Sequence, residues 1–382
     1  MIYNKSCAIL KKKHISKEIR MTAENKKPLS IEEIDKNMAT AIKINKKGLC
    51  FYSMYDEPFV ICGGLKRGDD GRLYRLPRDV AEKTSPGVLG LCANTAGGRV
   101  RFKTDSKRVA IVAKYAGVTY MSHFAITGSV GLDLYADDEF VGEFRPPLSM
   151  PSNTYESLLT IKGEKRERNI TVNLPIYSNL VELYIGVDEG SSISSPAPYT
   201  YEKPIVYYGS SVTQGGCASR PGTTYQAYLT RWLDWDHVNL GFSGSAMAED
   251  SIVEYMASIE NMGIFVCDYD HNSPSAEYLN ATHLPLYRKI REKNPELPII
   301  IFGRTTRDYD DEDVLRRKVT ERTYEIAIAE GDKNVYYVNP LDTFPITPEE
   351  ATVDRIHPTD LGFYFMAKAL EPTLKEIAKR YK

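Results

Sequence analysis

Hydrophobic and polar positions follow two different rhythms along this chain. From about Phe51 to Tyr199 apolar residues come in short alternating or β-rich runs cut by Gly, Asp, Asn and Pro. "RVRFKTDSKRVAIVAKYAG" carries two such runs with "TDS" as the turn between them, and "GLDLYADDEFVGEF" reads as a hairpin tipped by Asp137 and Asp138. "NITVNLP" and "LVELYIGV" continue the series, and no long segment of helical period interrupts it. Many short strands at close spacing predict an antiparallel β-sandwich of jelly-roll type.

After "SSISSPAPYTYEKP", a Ser- and Pro-rich stretch suited to a linker, the rhythm changes. Apolar runs "IVYYG", "HVNLGF", "GIFVCD", "LPIIIFG" and "NVYYVN" alternate with helical stretches. Tyr225, Tyr228, Leu229 and Trp232 share one helix face, as do Ile252, Met256 and Ile259, and a last helix follows Thr359 as N-cap. Strands apolar on both faces, each followed by a helix, predict a three-layer α/β fold around a five-stranded parallel sheet of flavodoxin-like type. The expected organisation is a basic leader over 1–45, disordered in part, a β-sandwich domain over 46–199 and an α/β domain over 200–382.

Composition narrows the function classes. The 382 residues are 42% hydrophobic and 26% charged with a net charge of -2, which gives no electrostatic reason to expect nucleic acid or an anionic membrane as partner. Charge is uneven, because residues 1–47 hold twelve Lys or Arg against five Asp or Glu. The apolar run in that leader, "CAIL", is shorter than the roughly 7 to 15 residues of a secretory h-region, and no segment approaches the ~20 apolar residues of a membrane span. A cytoplasmic protein is therefore expected, and a start at Met21 would make the leader a gene-start artefact. The six cysteines form no CxxC pair, and no HExxH or paired Cys/His motif occurs among the six histidines, so neither a metal nor another cofactor is expected.

The chemistry lies at the strand ends. In an open parallel sheet ligands sit outside the carboxyl ends of the strands, where "YGSSVTQGG" places Ser210 and Ser211 after the first strand. Capping of the next helix is the ordinary job for such serines. Downstream, "DRIHPTD" sets Asp354 and His357 on one loop after the fifth strand. A serine becomes a nucleophile when an imidazole takes its proton, and the imidazole needs a carboxylate to hold its tautomer. Gly244 in "NLGFSGSA" and Asn272 in "CDYDHNSP" stand after the second and third strands as donors for an oxyanion, although each also reads as a turn residue and Gly244 alone reads better as one.

This pattern resembles the SGNH, or GDSL, hydrolases, named for Ser, Gly, Asn and His in four blocks. The resemblance implies Ser211 as nucleophile, His357 as general base and Asp354 as its orienter. It implies the Ser211 N–H, Gly244 and Asn272 as the oxyanion hole. The preceding half is similar to the small β-rich domain of some members, whose GxDLY signature reads "GLDLY" here, Gly131 to Tyr135. Two departures stand out: the acidic residue before the nucleophile is replaced by Ser210, and "DYDHN" carries Asp270 where the family has glycine, with Ser273 after the asparagine.

What the resemblance implies about substrate is an O-acyl ester on a carbohydrate, acetyl foremost, as in two-domain carbohydrate esterases. The 26 tyrosines, among them Tyr120, Tyr269 and Tyr309 near predicted loops, suit a sugar, although half-buried structure is the usual role of tyrosine. His271 and Arg304 are candidate substrate contacts, each with a structural alternative. Cys217 reads as a buried apolar filler rather than a catalytic thiol, and His123 as strand packing, with a reach toward the other domain as the alternative. The rival readings are a thioesterase or lysophospholipase-type acyl hydrolase, and a glycan-binding protein with a degenerate hydrolase domain. Oligomeric state is not legible.

Overall fold

The computed structural model describes residues 29, 31–35, 43–150, 152–305 and 307–381. The chain divides into two compact units, Met1–Thr40 and Ala41–Lys382. Of the first, the described secondary structure is a short helix, Ile31–Ile34. Most of the predicted leader, Met21 included, lies outside the described residues.

Five strands build the parallel sheet: β1 Tyr201–Gly209, β2 Trp235–Gly241, β3 Ile264–Asp268, β4 Ile299–Phe302 and β5 Val335–Val338. Their order is β2-β1-β3-β4-β5, the doubly wound order expected for a flavodoxin-like sheet. Val206 pairs with Val238 on one side and Phe265 on the other. Alternate residues point to opposite faces. Val206 and Tyr208 therefore join Leu240, Phe265, Cys267, Ile299 and Ile301 in one core, while Ile205 and Tyr207 join Ile264, Val266, Ile300 and Phe302 in the other.

Helices cover both faces, which is why these strands are apolar throughout. After β1 come α1 Ser211–Gln214 and α2 Tyr225–Leu233; α3 Asp250–Ala257 and α4 Ala276–Lys293 follow β2 and β3; α5 Asp311–Ala329 and α6 Asp360–Ala378 follow β4 and β5. Tyr225 and Leu229 of α2 and Phe363, Met366 and Leu370 of α6 fill one core; Ile252 and Met256 of α3 and Leu279 and Ile290 of α4 fill the other. Thr359 occupies the N-cap position of α6, but its hydroxyl donates to the Ala351 carbonyl at 3.1 Å rather than capping.

The preceding half is an antiparallel sandwich. One sheet runs Leu49–Ser53, Asn179–Asp188, Arg108–Gly117, Thr154–Thr160. In the other, Arg99–Thr104, Arg168–Asn173, Leu132–Ala136 and Glu139–Phe144 are neighbours, and Val60–Cys62 and Ile193–Ser194 both pair with Arg99–Thr104. The predicted hairpin is present, with Asp137 and Asp138 both at positive φ as a tight turn requires. Phe102, Ile111, Leu134 and Ile185 lie between the sheets.

Two short helices, Arg78–Thr84 and Pro86–Leu91, were not expected in this half. Their Ala81 and Val88 pack with Val206, Tyr208, Leu240 and Phe242 of the parallel sheet rather than with the sandwich. A fully buried Val or Phe contributes roughly 1.5–3 kcal/mol, so this covering layer helps hold the sheet together. Each helix spans under two turns, too short to leave a periodic signature.

Candidate active site

Ser210 and Ser211 follow β1 and have separate jobs. Ser210 is fully buried and its Oγ accepts from the Val212 N–H at 3.1 Å, so it caps α1. Ser211 opens the helix, where its own N–H has no partner within the helix. Gly209 makes this turn possible: a Cβ there would stand 2.0 Å from both the Asp268 carbonyl and Thr213 Oγ1.

The Ser211 hydroxyl lies 2.9 Å from His357 Nε2, and His357 Nδ1 lies 2.8 Å from Asp354 Oδ2. With Asp354 ionised, Nδ1 carries the proton and Nε2 is left to accept from the serine. The other Asp354 oxygen accepts the N–H groups of Ile356 (3.1 Å) and His357 (2.8 Å). Burial pushes the Asp354 carboxyl upward, but these hydrogen bonds and the imidazole outweigh it and leave its pKa below the usual value. The loop is closed by the Val353 N–H donating to the His357 carbonyl at 2.8 Å, with Arg355 in the left-handed region at φ 69.

The expected oxyanion donors follow β2 and β3, the two strands that flank β1. Gly244 sits at φ 64 in the turn after β2, exposed, with open space where a side chain would be. That turn is held by Gln214 Oε1, which accepts the Ser243 N–H at 3.0 Å. Asn272 ends a single helical turn, Asp270–Asn272, after β3. Its Oδ1 accepts the Ala246 N–H at 3.4 Å, which turns the amide so that Nδ2 remains the donor available to a ligand. Buried Arg316 clamps this turn through the carbonyls of Asp270 (2.9 Å) and Ser273 (2.8 Å).

The two candidate substrate contacts differ. Arg304 is ion-paired with Asp313, and its backbone N–H donates to Asp270 Oδ2 at 2.8 Å, so its guanidinium already serves the structure. His271 Nε2 is shut off from solvent with no hydrogen-bond partner among the described residues. Burial chiefly, with the nearby charges of Arg304 and His357, holds its pKa well below the ordinary histidine value, so the ring stays neutral. Of the three tyrosines, Tyr269 is buried with its hydroxyl on Thr282, whereas Tyr120 and Tyr309 are exposed.

Sequence reasoning missed two neighbours of His357. His123 is not in a strand but in an exposed turn of the sandwich half, and its ring centroid lies 5.8 Å from that of His357. Cys217 is buried, as expected, and its thiol, His123 and His357 bring ligand atoms within 4.8 Å of one another. Burial first and the Asp354 carboxylate second push the Cys217 thiol up to about 12. Only the folded topology joins these three positions, and no local motif marks them.

A hydroxyl, an imidazole and a carboxylate in hydrogen-bonded series at the rim of a doubly wound sheet define a class, the serine acyl hydrolases of SGNH architecture. Comparison with known proteins makes the assignment firm. Residues 202–375 match the GDSL-like lipase/acylhydrolase family and residues 35–193 match the N-terminal region of SGNH-hydrolase-type esterases, so the chain carries a GDSL-like lipase/acylhydrolase domain behind a GxDLY-type N-terminal region and is an esterase. Among solved structures, a putative GDSL-like lipase from Bacteroides ovatus is similar at 27% identity and a TM-score of 0.75, covering 87% of this chain and 98% of that one. A salicylyl-acyltransferase from a tetracycline biosynthetic pathway shares the fold at 18% identity and a TM-score of 0.69, covering 87% and 98%. An acetyl xylan esterase from the rumen bacterium Butyrivibrio proteoclasticus does so at 13% identity and 0.56, covering 87% and 100%. No curated protein matches the chain. Among the described residues no helix is long and apolar enough to cross a membrane.

Proposed function

We propose that this esterase removes short acyl groups, acetyl foremost, from hydroxyls of a carbohydrate through an acyl-enzyme on Ser211. The observation that carries the reading is the hydrogen-bonded series from Ser211 Oγ to His357 Nε2 (2.9 Å) and from His357 Nδ1 to Asp354 (2.8 Å). His357 takes the hydroxyl proton as Ser211 attacks the ester carbonyl. The N–H groups of Ser211 and Gly244 and the Asn272 amide stabilise the oxyanion, and the proton passes to the departing sugar oxygen. Water then attacks the acyl-serine with His357 again as base, releasing the acid and restoring the hydroxyl.

The carbohydrate part rests on two supports. Tyr120, 47% exposed and three residues before His123, and Tyr309, 37% exposed with Arg355 above its ring at 5.5 Å, offer aromatic faces beside polar groups. The two-part build, which we assign as a sandwich domain at 46–199 and a catalytic domain at 200–382, is shared with the acetyl xylan esterase. The test is a panel of acetylated xylo-, manno- and gluco-oligosaccharides beside acetyl and octanoyl nitrophenyl esters. Deacetylation of a sugar and preference for the acetyl ester are expected. Preference for octanoyl with no sugar turned over would replace the reading by a lipid or thioester hydrolase.

A further inference from the structure

His123, Cys217 and His357 come from three separate loops, yet one ligand atom of each lies within 4.8 Å of the other two. Two imidazoles and a thiolate are a donor set for zinc. Around a tetrahedral zinc, with Zn–N of about 2.0–2.1 Å and Zn–S of about 2.3 Å, such atoms stand roughly 3.3–3.6 Å apart. The cluster must therefore contract by up to about 1.5 Å, and His123, exposed on its turn, can supply that movement by rotating its side chain.

Two other features fit a metal. Asp354 holds His357 Nδ1 at 2.8 Å, the carboxylate–histidine arrangement that fixes a ligating ring and leaves its other nitrogen for the ion. Cys217 sits at φ 73, a left-handed conformation that a glycine would adopt without penalty, so the side chain is kept there at a conformational cost.

We infer that His123, Cys217 and His357 form a binding site for a zinc-type divalent cation, and that its occupation switches the esterase off. The inhibitory half rests on His357 being the general base: the nitrogen offered to the metal is the one that must accept the Ser211 proton. On binding, the thiol proton leaves to solvent and sulfur donates its pair to the ion, with no change of oxidation state. The sandwich half thereby gains a regulatory part in the catalytic site, because His123 comes from it.

Cobalt(II) reports on such a site by the thiolate-to-metal charge-transfer band of a bound sulfur. Full-length, chelator-treated protein carrying S211A, which cannot turn over, should take up a single equivalent of cobalt with that band, and C217S should lack it. Zinc should inhibit acetyl-ester hydrolysis reversibly on adding EDTA. Loss of one ligand should raise the half-inhibitory zinc concentration by at least about 10-fold in C217S and H123A, each referred to its own metal-free rate. H123A alters an exposed position and keeps the test valid should C217S fold poorly. Absence of the band in both wild type and S211A, or equal zinc sensitivity of all variants, overturns the site. A cobalt band with hydrolysis untouched by zinc overturns the switch while leaving the site. An S211A protein that still hydrolyses the ester overturns the catalytic reading instead, whatever the metal does.

Discussion

Exchanging Asp354 for Asn tests the proposed mechanism at its most specific point. The change is nearly isosteric and the side chain is 41% exposed, so the variant should fold and melt like the wild type. The two backbone N–H groups that Asp354 Oδ1 accepts, from Ile356 and His357, will retain the Asn carbonyl there and direct the amide nitrogen at His357 Nδ1. An amide N–H facing Nδ1 makes that nitrogen the acceptor and moves the ring proton to Nε2, the atom facing Ser211 at 2.9 Å. The base is then blocked by its own proton. The expected loss in kcat is on the order of 10³ to 10⁴, or about 4–5.5 kcal/mol of transition-state stabilisation. The assay is the pH dependence of acetyl-ester hydrolysis for both proteins. Because the Asp354 pKa lies below the usual aspartate value, its contribution to the folded state is complete above that range and is lost only as pH falls through the depressed pKa. Protonation of Asp354 should therefore not set the acid limb of the wild-type profile. Raising the pH should not rescue D354N, since its fault is a tautomer rather than a charge. Activity within about 10-fold of wild type, or recovery in alkali, would refute the reasoning.

Three further changes probe the surroundings. Ser211→Ala should lose on the order of 10⁴ or more in turnover and all labelling by a serine-directed phosphonate; retained labelling would rule this nucleophile out. Asn272→Ala should lose on the order of 10² to 10³ in kcat with a smaller effect on KM, and full activity would remove Asn272 from the oxyanion hole. Asp133→Ala should cost about 3–5 kcal/mol in urea unfolding, because it strands Arg220, the Gly222 N–H and Asn173 without their buried acceptor; a loss below about 1 kcal/mol would deny Asp133 a structural role.

Much of this was legible in sequence because the relevant signals are local. Runs apolar on both faces announced β1 to β5, and the placing of Ser211, Gly244, Asn272 and His357 after β1, β2, β3 and β5 put them at strand ends that share one rim. The capping role of Ser210 and the outward role of Ser211 depend on which hydroxyl faces Val212 N–H and which faces His357, and a spacing rule does not distinguish them. Arg304 illustrates the converse: at the end of β4 it is well placed for a substrate, but Asp313 nine residues later in sequence answers its charge. His123 and Cys217 escaped because their meaning comes entirely from tertiary proximity. Helices Arg78–Thr84 and Pro86–Leu91 escaped for another reason: they are too short for periodicity and pack against a sheet formed more than a hundred residues later.

The sandwich half is better understood as a brace for the rim than as an attached module. Asp133, the acidic residue of "GLDLY", is fully buried and accepts from Arg220 (3.0 Å) and from the Gly222 N–H (2.8 Å), fixing the loop that leaves α1. That same loop is tied onward, because Ser219 N–H and Thr223 Oγ1 both donate to Asp360, three residues after His357. Arg75, also buried, donates to the carbonyls of Asn239 (3.1 Å) and Gly241 (2.5 Å) and so sets the end of β2 just before the Gly244 turn. Each loop carrying a proposed reactive group after β1, β2 and β5 is thus held directly or through one intermediary by a side chain of the first half. A 2.9 Å approach between groups 146 positions apart needs loops that do not wander. Geometry of that kind is what preorganised catalysis requires, and here the sandwich supplies part of it.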